Sequence, residues 1–184
     1  MRKNDKRNLA ALLMLALAAP VPAATPDAVA SHREERAKVD QVAAITLRDV
    51  HPLHGGQIVY LSADGSGYCQ LLTHPSGTPS LHEKRYRLAV PADQLAALWR
   101  MLSAGRLAAI ASSTQPGVPD ASRPRISVRL ASGQSVNVSR WLHDQQADFE
   151  QIYKSLLTVA QNAAAQDQLL AEGKFDPNWT PPGF

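Results

Sequence analysis

The sequence predicts an α+β fold: an antiparallel sheet of about five strands, built from two strand-strand-helix units, with the helices packed on one face. Three observations carry this expectation. Several segments alternate apolar and polar residues with period two, Arg125-Ile126-Ser127-Val128-Arg129-Leu130 most cleanly. The pairs Asp64-Gly65 and Ser132-Gly133 fall between such segments at hairpin spacing, which leaves no room for a parallel crossover. Two later stretches place apolar residues at helical spacing, each after a group of strands.

Residues 1–23 precede the folded domain and read as a secretory signal peptide. The cations Arg2, Lys3, Lys6 and Arg7 lead an unbroken apolar run over residues 9–19, and Pro20-Val21-Pro22-Ala23-Ala24 follows. That run is too short for the roughly 20 helical residues that a bilayer demands. Val21 and Ala23 suit a cut before Ala24, and Ala28 and Ala30 suit a second possible cut before Ser31. No cysteine follows the run, so a lipid-anchored form is not supported.

Removal of that segment changes what the charge means. The chain has 19 Lys and Arg against 16 Asp and Glu, but four of those cations and Asp5 lie before Ala24, so fifteen of each sign remain. A neutral exported domain lacks the net basic charge of a nucleic-acid binder, and none is expected as a partner. The remaining length suits one domain with a substantial core. Cys69 stands alone, so no internal disulfide forms, and its place in an apolar strand-like run makes burial the favoured reading over a reactive thiol.

Residues 24–44 read as a polar leader or short helix, with mixed charges in Arg33-Glu34-Glu35-Arg36 and few apolar side chains to dock it. A single α+β domain is expected over residues 45–172. Its first strand starts at Ile45, with Leu47 on the same face, and ends near His51-Pro52. Strands follow over residues 57–61, 68–73 and 85–90. A first helix then carries Leu95, Leu98, Trp99 and Leu102 in one stripe, with Pro91 suited to its first turn and Gly105 to its end. Strands over residues 125–130 and 135–139 make the second hairpin. The second helix carries Phe149, Ile152, Tyr153, Leu156 and Leu157, with Asp144 or Asp148 to cap it. It is expected to run through the Ala and Gln stretch to Leu170 and stop at Gly173. Trp99 and Phe149 are the expected anchors of the two stripes. Residues 173–184 form a Pro- and aromatic-rich tail whose Phe175, Trp179 and Phe184 are costly to leave in water, so docking back on the domain is favoured over docking on a partner.

Three patterns bear on function. Arg85, Arg87, Arg125, Arg129 and Arg140 lie at or beside outward positions of the strands, where guanidinium groups would suit carboxylate or phosphate groups if the hairpins share one sheet. His51, His54, His74 and His82 are of a type suited to a metal. However, no Glu completes a helix-borne zinc pattern, and solvated loop histidines are the favoured reading. The rigid run over residues 115–124, with Pro116, Pro119 and Pro124, reads as a connector ahead of a binding loop. Ser66 does not meet the G-x-S-x-G spacing, and dispersed carboxylates name no acid and base pair. No cofactor is expected. The expectation is therefore a secreted, periplasmic or extracellular, binding or accessory protein of the bacterial envelope, with another envelope protein or an anionic ligand as partner, no membrane span after signal removal, and no catalytic pattern. The alternative is a metal-binding or hydrolytic enzyme built on the histidine-rich region 51–82.

Overall fold

The computed structural model describes residues 41–102, 106–107, 109–144, 146–166 and 168–184. Residues 1–40, which hold the expected signal peptide and nearly all of the expected polar leader, lie outside the described residues, as does Gly105. Alternation of apolar and polar side chains produces seven strands: β1 (Val42–His51), β2 (Gly55–Ser62), β3 (Ser66–Thr73), β4 (His82–Ala89), β5 (Arg125–Leu130), β6 (Ser135–Ser139) and β7 (Leu169–Lys174). Two helices, α1 (Ala92–Met101) and α2 (Ala147–Ala165), accompany the strands.

All seven strands form one antiparallel sheet in the order β6-β5-β1-β2-β3-β4-β7. This overturns the expected sheet of about five strands made from two strand-strand-helix units; the fold is mostly β. The first four strands are one continuous meander, and only then does α1 follow. The β5–β6 hairpin is added on the far side of β1, where Ile45 pairs with Val128 and Leu47 with Ile126. Turn spacing reports local hairpins but cannot report this long-range pairing.

The seventh strand also corrects the second helix. Helix α2 ends at Ala165, and residues 169–174, expected as its last turn and stop, run instead along β4, with Gly173 inside the strand opposite Glu83. Leu169 and Leu170 are 43 and 47 % exposed, so apolar burial does not drive the switch. The free N–H and C=O groups along the outer edge of β4 do, because pairing satisfies them. The cap of α2 is likewise Gln146, whose side-chain oxygen accepts from the Phe149 N–H at 2.6 Å, rather than either aspartate.

One face of the sheet meets both helices. Ile45, Leu47, Val59, Leu61, Ile126 and Val128 share a buried cluster with Leu98 and Leu102 near α1 and with Phe149, Ile152 and Leu156 of α2. Trp99 packs at its margin and donates its indole N–H to the Ala63 carbonyl at 3.1 Å. Cys69 lies fully inside this cluster, and burial pushes its thiol up to about 12. Among the described residues no helix is long and apolar enough to cross a membrane.

Candidate functional site

The opposite face of the sheet carries a different chemistry. Register places Arg125, Arg48, Ile58, Gln70 and Arg85 in one row across five strands, and Ser127, Thr46, Tyr60, Tyr68 and Arg87 in the next. Arg129 follows in a third row, opposite Ala44. Among the described residues, five arginines and a single carboxylate, Glu83, therefore occupy strand positions on this face. The basic and aromatic character arises because the alternate positions of each strand are spent on the helix-covered core.

The centre of this face is covered by the chain's own residues 175–184. Ile58, Tyr60 and Leu72 are buried against Phe175, Trp179 and Phe184. Tyr60 meets Trp179 and Phe184 edge-on, with ring centroids 5.9 and 5.5 Å apart, and its hydroxyl donates to the Trp179 carbonyl at 3.4 Å. Burial raises the Tyr60 phenol above its ordinary pKa, against the opposing pull of Arg48 and Arg85.

The five arginines singled out from sequence have separate fates. Arg85 is ion-paired to the buried Glu83 and lies 4.3 Å beneath the Trp179 ring, so its charge is spent inside the fold. Glu83 also accepts from the Gln70 amide at 2.6 Å. Arg129 donates to the Gly183 carbonyl at 2.9 Å and so helps to hold the tail. Arg140 lies just past β6, away from these rows, where it pairs with Asp144 at 2.8 Å and donates to the Ala111 carbonyl at 2.6 Å. Arg87 and Arg125 are exposed, and no ion pair engages either among the described residues.

Arg48, which strand patterning alone left unmarked, joins the set. It is exposed and stands directly opposite Arg125 across the β1–β5 ladder. Like charges in that relation cost stability unless something neutralises them. The legible signal was its outward position between Leu47 and Asp49 in the first strand.

Two clefts flank Phe184 on this face. One, of about 380 Å³, is lined by Ser62, Ser66, Tyr68, Arg87, Pro182 and Phe184. The other, of about 170 Å³, is lined by Ala44, Thr46, Ser127, Arg129, Ser135 and Phe184. Each offers hydroxyls and one guanidinium, the donor set that suits the oxygens of a phosphate or carboxylate.

The histidines divide. His51 and His54 stack with centroids 4.5 Å apart on the β1–β2 turn, while His74 lies beyond the end of β3 and His82 opens β4 opposite Thr73. The turn is tight because Gly55 has φ +84°, and a Cβ there would fall 2.1 Å from the Leu72 carbonyl oxygen. The proline-rich run 115–124 approaches the same turn. Its Ser122 donates to the buried Asp49, which also accepts from the Tyr153 hydroxyl at 2.5 Å.

No family model, curated protein or solved structure matches this chain.

Proposed function

We propose that the protein is a small binding or accessory protein of the bacterial envelope, exported by residues 1–23, that engages an anionic group of a ligand or of another envelope protein through the arginine-bearing face of its sheet. The observation that carries this reading is the imbalance on that face: five arginines against one carboxylate, with polar clefts on either side of Phe184. A merely solvated face gains nothing from opposing Arg48 to Arg125, since the pair repels until an anion lies between them. The export reading rests on the cationic start, the short apolar run and the small residues that follow it. It places the domain in the periplasm or outside the cell, with no span after the signal is removed and no nucleic acid as partner.

The test is a pull-down from an envelope extract with the wild-type chain and with the Arg87→Glu, Arg129→Glu double variant as baits. Circular dichroism checks that both are folded. A specific partner captured by the wild type and lost with the two reversals is the expected result. Equal capture by the folded double variant would sink the arginine-face reading.

A further inference from the structure

We propose that His51, His54 and Asp120 form a site for a borderline divalent cation, zinc foremost, at the end of the sheet where β1 turns into β2. The three side chains offer two imidazole nitrogens and one carboxylate oxygen within 4.8 Å of one another. That donor set matches the nitrogen and oxygen ligands that zinc takes, and three protein ligands leave a fourth position for water.

Register explains why Asp120, distant in sequence, arrives there. Arg125 pairs with Arg48, so the chain running back from Arg125 passes the continuation of β1 toward His51. The segment is then secured at several points. Ser122 bonds the Asp49 carboxylate, and the Ser122 carbonyl accepts from the Leu142 N–H at 3.2 Å. Arg123 donates to the Ser113 carbonyl at 3.0 Å and lies 5.1 Å from the Trp141 ring centroid. Asp120 itself takes φ +60°, a conformation that aspartate tolerates better than most residues. Two features read from sequence as a solvated turn and a plain connector thus converge on one point.

Coordination has a local consequence. Donor atoms bound to one tetrahedral zinc at about 2.0–2.1 Å lie roughly 3.3 Å from each other, so the three groups need close by no more than about 1.5 Å. His54 and Asp120 are exposed and free to do so. The His51 Nδ1 atom now accepts from the Leu53 N–H at 3.2 Å. Metal at Nδ1 would take that lone pair. Metal at Nε2 would require the proton to sit on Nδ1, facing the same donor. Either way the Leu53 amide loses its acceptor.

This site is independent of the arginine clefts. They lie toward the Ser62 end of β2 and the histidines beside its Gly55 end, about 25 Å apart for eight extended residues.

The test uses the full chain without a polyhistidine tag, dialysed against zinc chloride with the bound metal counted, and an amide NMR spectrum with and without zinc. We expect one zinc per chain, displacement of the Leu53 amide signal, and affinity lowered at least about tenfold in both His54→Ala and Asp120→Asn. The His74→Ala, His82→Ala double variant should bind as the wild type does. Absence of zinc on the wild type overturns the proposal. So does zinc that survives the His54 and Asp120 changes, that is lost with His74 and His82, or that leaves the Leu53 amide in place.

Discussion

The two faces of this sheet are covered in opposite ways. The helix side is closed by long elements whose aliphatic stripes match the strands beneath, and Leu47, Val59, Leu61 and Ile126 have no measurable exposure there. The other side is closed by ten residues with no regular structure, held through three aromatic side chains, one cation–π contact and an arginine-to-carbonyl bond. The first face spends nearly all its side chains on packing. The second leaves charged groups at its margins because a short segment cannot cover five strands. Aliphatic packing and exposed charge fall on different sides of one ladder, which a period-two sequence permits and a helix stripe does not.

The contrast is broken most forcefully from the helix side. Leu61→Ala should cost about 2–5 kcal/mol in urea unfolding, since its site is fully enclosed and cannot collapse. Trp179→Ala on the other side should cost only about 1–3 kcal/mol, the loss of half-buried ring contacts and the Arg85 interaction. Equal costs would mean that the tail is as integral to the core as the helices are.

Alkaline pH probes the helix side by a different route. The Cys69 thiol is held near 12 by burial, against an ordinary value of 9.0, so the folded chain keeps a proton that the unfolded chain releases. Stability is therefore full below about pH 9 and falls as pH rises toward about 12. Tyr60, on the tail side, and Tyr153, on the helix side, are both raised by burial from 10.0 and add losses of the same sign that begin about one unit later. Thermal melts from about pH 7 to about pH 11 should show the first onset near 9, and Cys69→Ala should move it to about 10. An unchanged onset in that variant would mean that the thiol does not set it.

The smallest effect sharpens the arginine-bearing side. Arg48→Gln relieves the repulsion with Arg125 and should stabilise the free protein by about 0.2–0.5 kcal/mol. A loss of stability on that change would show that Arg48 already has a structural partner.

Much of the strand layout was legible beforehand because side-chain alternation is a local signal. Ile126, Val128 and Leu130 face inward and Arg125 and Arg129 outward as their period demands. Strand β7 was not legible: Leu169-Leu170-Ala171-Glu172 reads as helix, and only the open edge of β4 makes it a strand. The histidine pair was visible as a pattern, but Asp120 was not, since its approach follows from the pairing of β5 with β1.

What the residues determined by themselves is the alternation of the strands, the two apolar helix stripes and the choice of arginine for outward positions, because each is set by neighbours two to four positions away. Tertiary structure alone decided which arginines remain free. Arg85 and Arg140 are neutralised by carboxylates, and Arg129 is tied to the tail, while Arg48, Arg87 and Arg125 stay exposed. The physical reason is that a charge is spent or kept according to what lies within a few ångströms of it in space, and long-range strand order sets that.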